Sequence, residues 1–382
     1  MDLTNLKYLV VGAGFFGSVI AERIANDMDE RVVVIDKYTH IGGNCFSDVD
    51  AETGIEYHKY GTHIFHTSSK KIWEYISSFT SFNGYRHQVL SIYKNKVYQM
   101  PINLETINSF YGVNLRPYEV DSFLKSEVEK EKIENPQNLE EKAVSLIGRP
   151  LYEAFIKGYT EKQWERDCKL LPTSIIDRLP VRKTYDENYF FDPWQGIPME
   201  DYAKIFTRLL SHKNIEVHVD TDFFEIKAKV PSSCLIIYSG PIDRFFDYKF
   251  GKLEWRTLKF EREVINVEDF QGTSVMNYPE SSIPYIRIHE PRHLHPERNY
   301  TKRKTLIFKE YPKTDNTDNP YYPVNTRQNQ DILQKYMEER GMCSNVIFGG
   351  RLGDYKYYDM DKTILSALDT YENKIKELRD VK

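Results

Sequence analysis

One stretch near the amino terminus, Lys7 to Asp36, constrains the fold of this chain more than any other. It reads KYLVVGAGFFGSVIAERIANDMDERVVVID. An apolar run is followed by three glycines in the spacing G-x-G-x-x-G, by a helical segment and by a second apolar run. Short continuous apolar runs are typical of parallel strands that are covered on both faces. The stretch therefore predicts a strand, a glycine turn, a helix over residues 18–27 and a second strand, which together begin a Rossmann-like α/β domain.

The three glycines of this turn have separate predicted roles. Gly12 permits the tight turn, Gly14 lets a pyrophosphate approach the backbone, and Gly17 lets the helix pack closely on the strand. The N-terminus of the helix then directs unpaired N–H groups at the phosphates. Asp36 ends the second strand, where a carboxylate accepts hydrogen bonds from an adenosine ribose. This order of features predicts a bound dinucleotide rather than a cofactor-free α/β domain.

Two further glycine pairs favour FAD as the dinucleotide. Gly42 and Gly43 follow the second strand, as in glutathione-reductase-like FAD proteins, although an ordinary glycine turn is the alternative. Near the other end, Asn345 to Arg351 repeats the strand-then-glycine pattern and leads into a helix that opens at Asp361. A second helix N-terminus would place a positive dipole against the flavin ring and favour its anionic reduced form.

Composition narrows the class of protein. With 382 residues, the chain is long enough for two or three domains. Its formal net charge of −5 gives no basic field for nucleic acid or anionic lipid. Four cysteines without a CxxC pair indicate free thiols in a reducing compartment. No apolar run has membrane-spanning length, and no leader pattern is present, so we expect a soluble cytoplasmic protein without a membrane-inserted segment.

The rest of the chain predicts two regions inserted into the dinucleotide fold. Residues 104–164 have helical patterns, and Asn138 with Glu141 three residues later predicts a capped start for one of these helices. The Pro-punctuated stretch 169–182 predicts a mobile flap. A hairpin at 89–100 and strand patterns over 255–311 predict an antiparallel sheet. The predicted boundaries are 1–80, 200–245 and 340–382 for the FAD-binding α/β domain, 103–180 for the helical domain with its mobile loop at about 165–182, and 81–102, 183–199 and 246–339 for the antiparallel sheet domain.

Two histidine-rich segments raise the question of a metal. His58, His63 and His66 have no acidic partner at helical spacing, and Gly61 breaks a helix between them. An imidazole against the cofactor fits better, with a satisfied buried histidine as the alternative. The segment 289–298 is interpreted as a solvated loop at a sheet edge. We therefore predict no metal site.

Arginines and tyrosines outside the glycine turn suggest a second ligand. Guanidinium groups and tyrosine hydroxyls both donate to phosphate oxygens, and four arginines are candidates for this role: Arg178, Arg256, Arg287 and Arg351. Phe155 and Tyr159 lie four residues apart on a predicted helix and would suit a stacked base, although core packing is the default at this spacing. The residues alone thus predict a flavin beside a nucleoside diphosphate.

Several blocks of the sequence resemble the bacterial UDP-galactopyranose mutase family. They are HKYGTHIFHT, IKGYTEKQW, QGIP, YSGPID, YYPVN and IFGGRLGDYKYYDM. The resemblance implies an isomerase that interconverts UDP-galactopyranose and UDP-galactofuranose through a covalent adduct with N5 of reduced FAD, without net redox change. It implies a role in supplying furanose sugar for surface polysaccharide and an external reductant such as NAD(P)H, and it leaves a homodimer open.

The resemblance also assigns roles to individual residues. The implied catalytic residues are Arg178 and Arg287, which clamp the diphosphate, His63 near flavin N5, and Arg256. The implied substrate contacts are Phe155, Tyr159, Thr160, Trp164, Tyr189, Asn277, Tyr322 and Tyr357. The implied cofactor contacts are Gly12, Gly14, Phe16, Gly17, Asp36, Lys37, Gly43, Asn44, His63, Arg351, Tyr358, Asp359 and Met360.

Three places depart from the family pattern. Thr62 stands where a small Ala is usual, Trp255 replaces a Tyr, and the loop at 289–300 is longer and more basic. Thr62 adds a hydroxyl and bulk beside the predicted sugar site. Alternatives therefore stay open: the same chemistry on UDP-N-acetylgalactosamine or a dTDP-linked 6-deoxyhexose, an FAD-dependent oxidoreductase, or a nucleotide-sensing module without turnover.

Overall fold

The computed structural model describes residues 1–176, 180–301, 303–314 and 320–377. Its strands are β1 (Tyr8–Val11), β2 (Val32–Ile35), β3 (Ser47–Val49), β4 (Glu56–His58), β5 (Phe65–Thr67), β6 (Val89–Tyr93), β7 (Lys96–Met100), β8 (Trp194–Gly196), β9 (Ile215–His218), β10 (Leu235–Tyr238), β11 (Trp255–Ile265), β12 (Val275–Asn277), β13 (Arg287–His289), β14 (Thr305–Thr314), β15 (Tyr322–Pro323) and β16 (Val346–Phe348).

The helices alternate with these strands. They are α1 (Phe15–Met28), α2 (Lys70–Ser77), α3 (Leu104–Tyr111), α4 (Val120–Glu129), α5 (Leu139–Leu151), α6 (Gly158–Trp164), α7 (Tyr202–Leu209), α8 (Phe223–Ile226), α9 (Ile242–Phe245), α10 (Arg327–Met342), α11 (Gly350–Gly353) and α12 (Met360–Thr370). Two π-helical segments, Tyr152–Lys157 and Tyr371–Ile375, follow α5 and α12. No helix in the described part of the chain combines the length and apolarity needed to cross a membrane.

A five-stranded parallel sheet in the order β16-β10-β1-β2-β9 forms the first layer of the fold. All four residues of β2 are buried, as its continuous apolar run predicts for a strand covered on both faces. The helix α1 packs over this sheet through buried apolar side chains shared with α7 and α12. The predicted strand–turn–helix–strand order is confirmed, and α1 begins at Phe15, three residues before the predicted start.

The close approach of α1 to β1 explains the third glycine of the motif. A Cβ on Gly17 would lie 2.0 Å from the carbonyl oxygen of Gly12 and 2.7 Å from a methyl carbon of Val10. Gly12 itself has φ of +106°, a conformation that L side chains rarely adopt. Both glycines are therefore required by the backbone, as the sequence predicts.

A seven-stranded sheet in the order β15-β11-β14-β13-β12-β6-β7 forms the second layer. The predicted hairpin β6–β7 is confirmed with its bounds. The sheet is antiparallel, as predicted, except for one parallel pair between β12 and β6. Because β6 and β12 come from distant parts of the chain, no hairpin turn forces them to run in opposite directions.

The helical region is built from α3 to α6 around one apolar core. The side chain of Asn138 accepts a hydrogen bond from the Glu141 N–H and caps α5, as predicted. Three residues in the described part of the predicted mobile flap, Cys168, Leu171 and Ile176, are buried in this core. Arg178, the candidate carried by the flap, lies outside the described residues.

Residues 289–295 are buried or half-buried, which corrects the interpretation of 289–298 as a solvated loop, whereas Pro296 and Glu297 are exposed. Glu290, Leu294 and His295 are at most 1% exposed. The Glu290 carboxylate accepts hydrogen bonds from two backbone N–H groups and from the Thr305 hydroxyl at 2.6 Å. His295 lies between the carboxylates of Glu56 and Glu297. Glu290 and His295, two of the polar residues that suggested solvent exposure, therefore have partners from other segments inside the protein.

Candidate active site

A deep cleft opens at the carboxyl ends of the parallel strands, where open α/β sheets bind ligands. The cleft has a volume of about 1210 Å³, which includes the space at its opening to solvent. The turn after β1 and the segments after β2, β9, β10 and β16 form its walls. Eleven of the predicted cofactor residues line it: Gly12, Gly14, Phe16, Asp36, Lys37, Gly43, Asn44, His63, Arg351, Tyr358 and Met360.

Two predicted cofactor residues are not part of the cleft wall. Gly17 is buried between α1 and β1, and its contribution is the close packing of helix and strand. Asp359 occupies the N-cap position of α12, directly before the wall residue Met360. These two residues support the wall from behind it.

Two helices direct uncapped N-termini toward the cleft. At the N-cap positions of α1 and α12, Gly14 and Asp359 make no side-chain capping hydrogen bond. The first-turn residues Phe16 and Thr363 line the cleft. Unpaired N–H groups and the positive ends of two helix dipoles suit an anionic ligand such as a pyrophosphate. The residues present therefore fit the dinucleotide that the sequence predicts.

Asp36 joins the second strand to the glycine turn. Its carboxylate accepts hydrogen bonds from the Ala13 N–H at 2.7 Å and from the Tyr38 N–H at 2.8 Å. Burial raises the pKa of Asp36, although these two bonds counteract the effect. The side chain thus fixes the shape of the turn and also faces the cleft.

Sequence reasoning missed the part of the cleft that follows β9 and β10. These residues are Thr221, Asp222, Phe223, Phe224, Ser239, Gly240, Pro241 and Arg244. Arg244 donates to Asp222 at 2.6 Å, which ties the two segments together. The rule that ligands bind at the carboxyl ends of parallel strands would have identified the residues after these two strands.

His63 presents a neutral imidazole to the cleft. Its Nδ1 lies 2.6 Å from the carbonyl oxygen of Gly61, and a carbonyl can only accept, so Nδ1 carries the proton. Burial lowers the pKa of His63 to about 4, against the effect of this hydrogen bond. The other ring nitrogen, Nε2, therefore holds a lone pair and accepts hydrogen bonds at neutral pH.

A second cluster lies around Arg287 on β13. The guanidinium donates from Nη2 to the hydroxyl of Tyr159, and its Nε lies 3.3 Å from the Glu310 carboxylate. Burial alone would lower the pKa of Arg287, but Glu310 and the phenols of Tyr159, Tyr322 and Tyr189 raise it. The guanidinium thus stays charged with several hydroxyl groups around it. This combination of donors suits a diphosphate.

Sheet register brings four predicted residues to one face. Asn277 is opposite Arg287, which is opposite Glu310 in turn. Arg256 is opposite Tyr322, and it lies four residues before Phe260, the partner of Glu310. Residues directly opposite one another, or an even number apart on a strand, share a face. The sequence positions Arg256, Asn277, Arg287 and Tyr322 therefore converge only because of this register.

A chain of ring contacts connects the cleft to this cluster. Arg351 lines the cleft, and its guanidinium carbon lies 4.8 Å from the centre of the Tyr357 ring. Tyr357 stacks on Tyr322 with ring centres 5.7 Å apart, and Tyr322 is close enough to Arg287 to influence its pKa. The predicted cofactor and nucleotide residues thus form one continuous site.

Four candidates, Arg256 among them, make their contacts with α6 or with the helical core. Arg256 donates to the Gln163 carbonyl at 3.1 Å and to Glu165 at 2.9 Å, which holds α6 to the sheet. Phe155 is buried in the helical core, the alternative that its spacing left open. Thr160 is buried, and Trp164 packs against the same core. Their roles as substrate or catalytic residues stay predictions.

One group of side chains in the described residues has ligand atoms close enough together for a metal, namely Asp269, Glu290 and His293. The Nε2 of His293 lies 3.1 Å from Asp269, and the Glu290 oxygens already accept three hydrogen bonds. The group is thus accounted for by hydrogen bonding that fastens the loop after β13.

Two family models match parts of this chain. The model described as UDP-galactopyranose mutase matches residues 154–357, which include the Arg287 cluster. The model described as NAD(P)-binding Rossmann-like domain matches residues 10–79, which include the glycine turn. The two matches correspond to the two halves of the continuous site.

Relatives match over nearly the whole length. The chain is 37% identical over 386 residues to the dTDP-fucopyranose mutase of Escherichia coli, covering 98% of this chain and 100% of the relative. It is 38% identical over 369 residues to a probable UDP-galactopyranose mutase of Klebsiella pneumoniae, covering 96% and 94%. The crystal structure of reduced UDP-galactopyranose mutase matches with a TM-score of 0.76 at 12% identity, covering 98% of this chain and 94% of that one, which shows a shared fold.

Proposed function

This chain belongs to the UDP-galactopyranose mutase family, and we propose that it interconverts the pyranose and furanose forms of a nucleotide-linked hexose with reduced FAD as its cofactor. The observation that carries this proposal is the continuity of two anion-binding surfaces. The dinucleotide cleft and the Arg287 cluster meet through Arg351, Tyr357 and Tyr322. A dinucleotide and a nucleotide sugar held on these surfaces would face each other.

FAD is supported by the cleft itself. Two uncapped helix N-termini and Asp36 match the phosphate and ribose groups of a dinucleotide. In its reduced form, this cofactor would supply the nucleophilic nitrogen that the anomeric carbon of the sugar requires. His63 would offer an acceptor at Nε2 beside the ring and would not change its charge at neutral pH.

The Arg287 cluster would hold the diphosphate. When the bond between the anomeric carbon and the nucleotide breaks, negative charge develops on the departing phosphate oxygens. Arg287 and the hydroxyls of Tyr159 and Tyr322 would stabilise this charge without reorganisation, because Glu310 and the sheet already fix the guanidinium. The same contacts would retain the nucleotide until the sugar ring has reclosed.

Two sugar nucleotides are candidates for the substrate. We propose UDP-galactose first, on the match to the UDP-galactopyranose mutase model. A dTDP-linked 6-deoxyhexose is the second candidate, since the relative named dTDP-fucopyranose mutase matches over its full length with nearly the same identity. All four cysteines are free, which favours a reducing compartment such as the cytoplasm, where NAD(P)H could serve as the external reductant.

Anaerobic turnover tests the proposal. Protein reduced with dithionite is incubated with UDP-galactofuranose, dTDP-fucofuranose and their pyranose isomers, and products and electron equivalents are both counted. We expect interconversion of at least one pair without net electron consumption, and no conversion by unreduced protein. Stoichiometric consumption of an electron acceptor would instead identify an oxidoreductase, and inertness toward every pair would contradict the mutase.

A further inference from the structure

Thr62 lies between the cofactor cleft and the Arg287 cluster. Its neighbour His63 lines the cleft. Its own hydroxyl oxygen lies 2.7 Å from Nδ1 of His289 on β13. One dipeptide therefore reaches both halves of the site. Thr62 is also one of the positions at which the sequence departs from the family pattern, so its contact with His289 calls for a physical explanation.

His289 also contacts Glu310 through its other ring nitrogen. Its Nε2 lies 2.6 Å from Oε2 of Glu310, and both side chains are at most 5% exposed. The same carboxylate oxygen lies 3.3 Å from Nε of Arg287. Although burial would raise the pKa of Glu310, Arg287 and His289 hold it below its usual value, so the group is a carboxylate that accepts a hydrogen bond from His289 and forms an ion pair with Arg287.

The direction of these hydrogen bonds assigns the donor at Thr62. Since the Glu310 carboxylate only accepts, Nε2 of His289 carries a proton, and the neutral form of the ring has a lone pair at Nδ1. The Thr62 hydroxyl is the group that donates to this lone pair. Phe260 packs against the His289 ring with centres 5.9 Å apart, which restricts rotation of the ring. The ring is thus held at both nitrogens and at one edge.

We infer that Thr62 is a positioning residue for nucleoside-diphosphate binding, acting through His289 and Glu310 on the guanidinium of Arg287. The inference rests on the proposed role of Arg287 at the diphosphate. Without the hydroxyl, Nδ1 of His289 loses its donor in a mostly buried place, and an unsatisfied buried polar atom is costly enough to reorient the ring. Glu310 would then move, and the guanidinium of Arg287 would lose the carboxylate that orients its N–H groups.

The Thr62→Val variant tests this inference, because valine keeps the shape of threonine and removes only the hydroxyl. The Thr62→Ser variant keeps the hydroxyl and removes a methyl group. Thr207→Val is the matched control, since the Thr207 hydroxyl bonds only the Ala203 carbonyl within α7. Affinity for UDP and for dTDP is measured by calorimetry on the holoenzyme, with kcat and KM for the substrate identified in turnover.

We expect Thr62→Val to weaken the binding of UDP and dTDP by about tenfold each, which corresponds to roughly 1.4 kcal/mol. The loss should be equal for both nucleotides because the network reaches the diphosphate and not the base. Thr62→Ser and Thr207→Val should stay within about twofold of the unmodified protein, and the loss should appear mainly in KM. Thr62→Ala should behave like Thr62→Val. If the Thr62→Val variant does not fold, Thr62→Ala is used in its place.

Two results would overturn the inference while leaving the proposed function intact. Unchanged affinity in both Thr62→Val and Thr62→Ala would show that the hydroxyl does not position Arg287. A loss in Thr62→Ser as large as that in Thr62→Val would assign the effect to the methyl group. If the unmodified protein binds neither UDP nor dTDP, the proposed function itself fails, and the inference fails with it.

Discussion

Arg287 is the single residue on which the proposed chemistry depends most. Its guanidinium contacts Tyr159 and Glu310, and its charge is reinforced by the surrounding phenols. The bidentate geometry of arginine matches two phosphate oxygens, whereas lysine offers only a point charge. The residue is therefore expected to contribute through both its charge and its shape.

We predict that Arg287→Ala lowers kcat/KM by about a hundredfold or more, because an interaction with the departing diphosphate is lost in the transition state. Arg287→Lys should recover part of this loss. The measurement is steady-state kinetics with reduced enzyme. Arg31→Ala serves as control, since Arg31 forms a surface ion pair with Glu216 far along the chain from the cluster. Near-normal activity of Arg287→Ala would remove this residue from the site.

At the scale of single residues, the structure also distinguishes two positions at which the sequence departs from the family pattern. Trp255 is buried and packs against Tyr355, on the face of β11 opposite to Arg256. Thr62 instead contacts His289 within the site network. We therefore expect an exchange at Trp255 to affect core packing and an exchange at Thr62 to affect ligand binding. Sequence could not rank them, because the side of a strand on which a residue matters depends on what covers each face.

At the scale of elements, two glycines at the junction of β1 and α1 have different expected roles, Gly17 in folding and Gly14 in ligand binding. A Cβ on Gly17 would collide with the Gly12 carbonyl, whereas a Cβ on Gly14 would meet no atom within 4 Å. Gly14 also has φ of −79°, which alanine adopts freely. The empty space beside Gly14 is the place where a pyrophosphate would approach the backbone.

We predict that Gly14→Ala folds with an unchanged melting temperature but loses most of its bound flavin, because the new methyl group occupies the position of the pyrophosphate. Gly17→Ala should be destabilised, since α1 must move away from β1 to make room. Thermal unfolding of the flavin-free proteins and the visible flavin absorbance of the purified proteins measure the two effects. Full flavin retention in Gly14→Ala would contradict the placement of the pyrophosphate.

Elements with a local cause were predicted well, and those with a distant cause were not. The hairpin β6–β7 and the cap at Asn138 follow from neighbouring residues, and both are confirmed. The parallel pairing of β6 with β12 and the burial of Glu290 and His295 depend on segments that are distant in sequence. The sequence suggested that Glu290 and His295 are exposed to solvent, because their partners, Thr305 and Glu56, lie in other segments of the chain.

At the scale of the whole molecule, buried histidines link stability to pH. Burial lowers the pKa of His58 and of His87 to about 3, well below the ordinary value of about 6.5. Both remain neutral in the folded protein at pH 5, while they take up protons in the unfolded chain. Because the unfolded state then binds more protons, the free energy of unfolding falls as the pH drops below about 6.5.

We predict that lowering the pH from about 6.5 to about 5 reduces the free energy of unfolding by about 1.5 kcal/mol for each of these two histidines. Urea unfolding at the two pH values measures this difference. The variant His87→Gln should lose one histidine's share of the pH dependence. A His87→Gln variant with the full pH dependence would show that His87 is protonated in the folded state.

By itself, the sequence determined the dinucleotide fold, its glycine turn and the family, because these follow from short motifs whose backbone geometry leaves few alternatives. Only the tertiary structure decided which side chains meet. Sheet register aligns Asn277 and Arg287 with Glu310, and a loop far upstream brings Thr62 to His289. Such contacts depend on distances in space between segments that are far apart in the chain, and no local pattern of residues encodes them.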